Sequence, residues 1–248
     1  MQFKLKAISA IAPNINLSAA NDADQAMINW ALNPTFDETQ TDVPKLDFIP
    51  MMQRRRLSKF AKLCCYSLNQ LGLEQHHQMV FVSRFGDLQK TNALIEEAAK
   101  GEDLSPAQFG LSVHNAVAGQ FSIFTGNQQP STTISAGEDS FHQGLIDAYA
   151  RLHQSNDDEI VMVCTEGVPP EKYRPYITEQ LIEHSVAVVL SKSQGTDIEL
   201  SFDINAQPMP TKQPLPQALA FLAWWCNNDK SATSVITSAT KRWHWQYV

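Results

Sequence analysis

Between Gly137 and Gly144 the chain reads GEDSFHQG, and four of its side chains carry chemistry: Glu138, Asp139, Ser140 and His142. A glycine that turns a strand into a helix leaves the first N–H groups of that helix unpaired, and many enzymes keep an anion or a nucleophile where they converge. Glu138 falls in that first turn. As structure, a carboxylate there interacts favourably with the helix dipole, by roughly 0.3 to 1 kcal/mol when exposed. As chemistry, it is a weakly nucleophilic anion in the field that would activate a cysteine thiol. His142 lies four residues on, so Glu138 and His142 share a helix face and can pair, which is also ordinary helix stabilisation. Upstream, His114 and Asn115 either face this turn across the fold or hydrogen-bond loop backbone. Ser140 is displaced into the helix and is not framed as G-x-S-x-G, which argues against a serine hydrolase. No G-x-G-x-x-G or Walker pattern follows a strand, which argues against nucleotide binding.

The elements that must position this turn are legible on both sides. Val113, Ala116, Val117, Phe121 and Phe124 recur at helical spacing and stop at Gly126. Residues 131–136, STTISA, form a short β-branched run. After Gly137 a second helix is expected to bury Phe141, Leu145, Ile146, Tyr149 and Leu152. Earlier, residues 3–11 alternate as a strand, and residues 17–50 are polar, with Asp22, Asp24, Asp37 and Asp42, leaving room for one short helix near 24–32. Leu57, Phe60, Ala61, Cys64, Leu68 and Leu71 make a helix face closed by Gly72. Residues 79–83 read as a buried strand, Leu94, Ile95 and Ala98 mark a helix ending before Gly101, and Ser105 and Pro106 open another. The continuous apolar runs IVMVC (160–164) and VAVVL (186–190) predict strands covered on both faces. Residues 198–204, 215–225 and 242–248 predict strand, helix and strand.

A chain of 248 residues with formal charge −7 and 18% charged residues is an ordinary globular protein without a nucleic-acid surface. Its one basic cluster, Arg54-Arg55-Arg56 continued by Lys59 and Lys62, reads as a solvated face at a helix start, with a docking patch for an acidic carrier protein as the other reading. Cys64, Cys65, Cys164 and Cys226 lack metal-ligand spacing and read as buried reduced thiols; no metal and no cofactor is expected. Neither a signal peptide nor a membrane span is apparent, so a cytoplasmic location is expected. His76, His77, His153, His184 and His244 read as surface or satisfied structural residues.

The run SVHNAVAGQFSIFTG (112–126) followed by SAGEDSF (135–141) resembles the nucleophile region of the β-ketoacyl synthases of the thiolase-like superfamily, and in particular their short homologues, the chain length factors, including those of aryl polyene pathways. On that resemblance Asn115 takes the family's helix-start Asn, residues 131–136 the strand, and Glu138 the place of the catalytic Cys. Gly137 and Asp139 flank it, so no shift of register restores a thiol. The resemblance implies an α/β thiolase-like layered fold: a complete first half around a mixed five-stranded sheet over 1–192, plus a truncated second-half remnant over 193–248, packed as one unit. The later His-Gly-Thr motif and Asn-bearing glycine loop of full-length synthases do not occur.

Condensation by decarboxylation needs a thiolate and two positioned donors for the enolate. The resemblance therefore implies a noncatalytic subunit that forms a heterodimer with a full-length ketosynthase, shapes its acyl tunnel, and meets the acyl carrier protein only through that partner. It further implies that Ser131, Thr132, Thr133, Ile134 and Ser135 form the strand that pairs across the dimer, with Phe121 and Phe124 at the tunnel end or, equally, in the core. The alternatives are a stand-alone malonyl decarboxylase-like enzyme using Glu138 and His114, and a self-associating homologue without a synthase partner. Trp224, Trp225, Trp243 and Trp245 suggest either a compact terminal cluster or a partner contact.

Overall fold

The two continuous apolar runs become the centre of a sheet that is covered on both sides. In the computed structural model, which describes residues 1–20, 25–37, 42–204, 214–227 and 229–248, the chain opens with β1 (Gln2–Ala12), β2 (Ile15–Ala20) and α1 (Gln25–Leu32). It continues through α2 (Met51–Arg54), α3 (Lys59–Gln70), β3 (Met79–Val82), α4 (Leu88–Ala99), α5 (Pro106–Gly110), α6 (Ala116–Thr125) and β4 (Ser131–Ile134). A 3-10 turn, Gly137–Asp139, leads into α7 (Ser140–Gln154), then come β5 (Glu159–Glu166), a second 3-10 segment (Glu171–Tyr176) and β6 (His184–Ser191). Last come β7 (Thr196–Ile204), α8 (Gln217–Cys226), β8 (Ser234–Thr237) and β9 (Lys241–Tyr247).

Strand order is β4-β3-β5-β6-β1-β7-β9-β8, with β2 paired to β1. The pairs β3–β4 and β3–β5 are parallel, whereas β5–β6 and β1–β6 are antiparallel. Strands β4, β3, β5, β6 and β1 are thus the expected mixed five-stranded sheet. Strands β7, β9 and β8 do not start a second sheet: β7 pairs antiparallel with the first residues of β1 and extends the same one.

Side chains alternate across this sheet into two cores. Val80, Val82, Ile160, Met162 and Val188 face α7 and α8; Met79, Phe81, Val161, Val163 and Val189 face α3 and α6. The result is three layers. Ser58 caps α3, its hydroxyl accepting from the Ala61 N–H at 3.2 Å, and Ser105 caps α5 in the same way. Helix α7 presses so closely on the sheet that a Cβ on Gly144 would lie 2.3 Å from a Val82 methyl.

Several expectations are corrected. Arg54-Arg55-Arg56 closes α2 instead of opening a helix, and Arg54 is held by the Leu46 carbonyl at 3.0 Å and by Asp47. Strand β2 lies partly inside the segment read as irregular, and β8 adds a strand to the expected strand, helix and strand at the end. Ile146 and Tyr149 are only half-buried, whereas Phe141, Leu145 and Leu152 are fully covered. The four tryptophans form a compact buried cluster, each 6% exposed or less, so the end of the sheet does not lack cover. Asp22 and Asp24 lie outside the described residues. All four cysteines are buried and none is in a disulfide, and burial pushes the Cys64 thiol up to about 12. No helix among the described residues is long and apolar enough to cross a membrane.

Candidate functional site

The turn between β4 and α7 sits at the C-terminal end of the parallel strands, where the sheet edge, a buried loop and the last hairpin meet. Gly137, at φ +62°, makes the turn in a backbone region that side chains with a Cβ disfavour. The Ser140 hydroxyl donates to the Gly137 carbonyl at 2.7 Å and accepts from the Ala136 N–H at 2.9 Å, closing the turn on itself.

Glu138 is half-buried, and both its carboxylate oxygens are taken. Oε1 accepts from the Thr178 hydroxyl at 2.7 Å, and Oε2 from the Ala239 backbone N–H at 3.0 Å. It therefore ties the turn to the loop before β6 and to the β8–β9 hairpin. The expected pairing of Glu138 with His142 does not form. His142 turns inward and is fully buried, stacked on the Trp243 ring with centroids 4.4 Å apart.

The partners of His142 define its protonation. Trp245 Nε1–H can only donate and reaches Nε2 at 3.1 Å, so Nε2 is the acceptor and Nδ1–H donates to Gln217 Oε1. Gln217 Nε2 in turn donates to Asp139 Oδ1 at 2.9 Å, which also accepts from Trp243 Nε1 at 2.7 Å, while Oδ2 faces Lys241 Nζ at 3.1 Å. The imidazole is neutral. Burial drives its pKa down to about 3, against weaker upward pulls from Gln217 and Asp139. For Asp139, burial pushes the carboxyl up, but the donors Gln217, Trp243, Ser238 and Lys241 together outweigh it and hold the group below the usual range.

Residues missed in the sequence complete the site. Glu166, at the end of β5, is buried and accepts from the Ser83 hydroxyl at 3.0 Å, the Phe85 N–H at 3.4 Å and the Arg84 N–H. Burial raises its pKa to about 8, against those three donors. The Arg84 guanidinium pairs with Glu179 at 3.1 Å, and the Ser135 hydroxyl donates to the Arg84 carbonyl. His114 belongs to this loop: Nε2 bonds the Ser83 carbonyl at 2.8 Å and the ring packs against Gly86, which fits the loop-fixing reading. Asn115 is exposed and makes no side-chain cap. A charge two residues beyond an apolar run was the available signal for both Arg84 and Glu166. No group of three or more His, Cys, Asp or Glu residues among the described residues is placed to hold a metal.

The shifts fix an acid limit. An unfolded histidine protonates near 6.5, but His142 stays neutral to about 3 and His184, also buried, to about 4. Below about pH 4.5 Glu166 is protonated in both states and adds no pH dependence, so through its histidines the unfolded chain binds more protons than the folded one. Asp139, depressed in the fold, acts in the same direction. Urea unfolding measured from pH 5 to 3.5 is expected to lose stability at each step; a flat profile would contradict the neutral buried His142. Above pH 4.5, Glu166 acts with the opposite sign, and its contribution is lost as pH rises through about 8.

Of the other predicted residues, Phe121 is buried between Phe48 and Phe81, and Phe124 is half-buried beside it. Ser131 is exposed and Thr132, Thr133 and Ile134 are half-buried on β4, which is an edge of the sheet.

A family model described as "Beta-ketoacyl synthase, N-terminal domain" matches residues 27–246. Among solved structures, the chain is similar to one in the ketosynthase ApeO in complex with its chain length factor ApeC from Xenorhabdus doucetiae. The TM-score is 0.84 and the identity 27%, over 99% of each chain. It shares its fold with the ishigamide ketosynthase/chain length factor at TM-score 0.60 and 10% identity, covering 83% of this chain and 68% of the other. It also shares it with a chain of AntDE:AntF, a type II polyketide synthase acyl-carrier protein in complex with its ketosynthase, at TM-score 0.58 and 16% identity, covering 83% and 70%. A comparison with curated proteins gave no match.

Proposed function

This chain belongs to the β-ketoacyl synthase N-terminal domain family, and from that premise we propose that it is a noncatalytic chain length factor. In this reading it pairs with a full-length ketosynthase and shapes that partner's acyl tunnel in aryl polyene or polyketide-like fatty acid biosynthesis, meeting the acyl carrier protein through the partner. The observation that carries the reading is the turn at Glu138: both oxygens of the side chain in the nucleophile position are held by Thr178 and Ala239, at the end of the strand that lies on the sheet edge. The likeness over 99% of both chains to a member of a ketosynthase and chain length factor complex supports the partnership.

The edge is suited to pairing. Met79 N–H bonds the Pro130 carbonyl and Ser83 N–H the Ile134 carbonyl, so Ser131 and Thr133 present their backbone groups to the outside of β4. A partner strand laid there would continue the sheet. Phe121 and Phe124 stand on the helix before that strand, where their bulk would bear on the length of chain admitted.

A stand-alone decarboxylase draws no support from Glu138 and His114, because each is bonded to other protein groups. The test is a cysteine at 138. The purified Glu138→Cys chain, given malonyl and acyl thioesters on a carrier protein, is expected to acquire no acyl adduct by mass spectrometry and to release no carbon dioxide. The thiol would meet Thr178 and the Ala239 N–H, and His142 has neither nitrogen free. Turnover by the wild-type chain alone that disappears in Glu138→Ala would overturn the reading. Co-expression with a candidate synthase, followed by mass measurement in solution, is expected to give a one-to-one complex.

A further inference from the structure

At the opposite end of the sheet from Glu138, a cavity of about 380 Å³ opens where β3 begins, between the last turn of α3, the last turn of α6 and Phe48. Its floor is Leu68, Met79 and Phe121, all at most 5% exposed, and its walls are Phe48, Leu73 and Phe124. No buried side-chain nitrogen or oxygen among the described residues lacks a hydrogen bond. Six apolar side chains face this open space, with dispersion contacts left unmade. Its size lies within the range of small-molecule sites.

The mouth is electrostatically one-sided. Helices α3 and α6 both end beside it, near Gly72 (φ +61°) and Gly126 (φ +70°), and the C-terminal end of a helix carries partial negative charge. Glu74 adds a carboxylate that makes no hydrogen bond or ion pair among the described residues, and Asn69 and His76 stand beside it, likewise without side-chain hydrogen bonds. A carboxylate ligand would be repelled at this rim; a hydrogen-bond donor would be attracted. At the ~30 Å³ that a small group occupies in a liquid, the space admits about a dozen non-hydrogen atoms.

We propose that this cavity is a binding site for a small amphipathic molecule, with an alkyl or aryl body against Leu68, Met79 and Phe121 and an amine or hydroxyl head at Glu74. The test uses 4-butylbenzylamine and 4-butylbenzoate, which share one body and differ in the sign of the head, titrated into the full chain at pH 8 by calorimetry. Saturable one-to-one binding of the amine is expected, at least about tenfold tighter than the benzoate. Glu74→Gln should shrink that ratio to within about threefold. Leu73→Trp, which fills the space from a half-buried wall, should weaken the amine at least about tenfold while thermal unfolding stays cooperative. If Leu73→Trp does not fold, Phe124→Trp takes its place. No saturable binding, equal affinity for both heads, or binding unchanged by the filling variants would each overturn the assignment.

Discussion

Replacing Asp139 by alanine is expected to cost about 2 to 6 kcal/mol of folding stability, from two buried donors left without an acceptor at about 1 to 3 kcal/mol each, the part-exposed ion pair with Lys241 adding under about 1 kcal/mol. The carboxylate is 6% exposed and receives Gln217, Trp243 and Lys241 at 2.9, 2.7 and 3.1 Å. Without it, two buried N–H groups and one ammonium lose their acceptor at once, and an orphaned buried donor alone costs about 1 to 3 kcal/mol. The loss also travels. Gln217 is held between Asp139 and His142, so freeing its amide loosens the imidazole that Trp243 and Trp245 pack against. Urea unfolding followed by tryptophan fluorescence measures both effects. Asp139→Asn keeps one oxygen to accept from Gln217 and Trp243, but it loses the charge and turns an NH2 donor toward the Lys241 ammonium, so it should fall short of the alanine variant without matching the wild type. A cost below about 1 kcal/mol for Asp139→Ala would mean that the network does not hold the end of the sheet.

The second large effect is on assembly. Thr133→Pro is expected to weaken one-to-one association with a synthase partner by about 10- to 100-fold, while the chain keeps its own thermal stability to within a few degrees. Proline on an edge strand is tolerated when its nitrogen faces outward, because no ladder bond inside the sheet is lost. Thr133 satisfies that condition: the Pro130 and Ile134 carbonyls bond β3, and the backbone alternates between them. A partner strand would lose one donor, worth roughly 0.5 to 1.5 kcal/mol, and meet the pyrrolidine ring as well. Sedimentation of the mixed proteins reads the outcome. Undiminished assembly by Thr133→Pro would remove β4 as the junction and require another surface.

Both predictions rest on residues that differ in how visible they were beforehand. Thr133 was legible, since a β-branched run between a glycine-closed helix and a glycine turn predicts a short strand before the long helix. Asp139 was visible only as an acidic residue in a first turn, where helix-dipole interaction is sufficient explanation. Its acceptors' work for Gln217 and Trp243 spans 78 and 104 residues of chain, and local periodicity carries no information over such separations. His142 was misassigned for the same reason. Spacing of four residues places it beside Glu138, yet an imidazole gains more by stacking on Trp243 in the core than by an exposed ion pair, which is worth under about 1 kcal/mol.

Strands β2 and β8 escaped detection on other grounds. The six residues of β2 lead into a polar segment, and Pro13 reads as the end of a strand, although Asn14, at φ +57°, makes the tight turn of a hairpin. Strand β8 has four residues, only one of them buried, and gains its identity from pairing with β9.

By itself the sequence determined the order and type of the main elements, because a period of two or 3.6 in apolar residues and a glycine or serine at a boundary are properties of neighbouring residues. It also determined that no thiol stands in the turn at 137–139. Only the tertiary structure decided that β7, β9 and β8 join the first sheet, that Glu138 is spent on Thr178 and Ala239, and that Asp139 and His142 belong to the core. Those outcomes depend on which distant surfaces bury the most apolar area while leaving no polar group unpaired, and that balance exists only once the whole chain is folded.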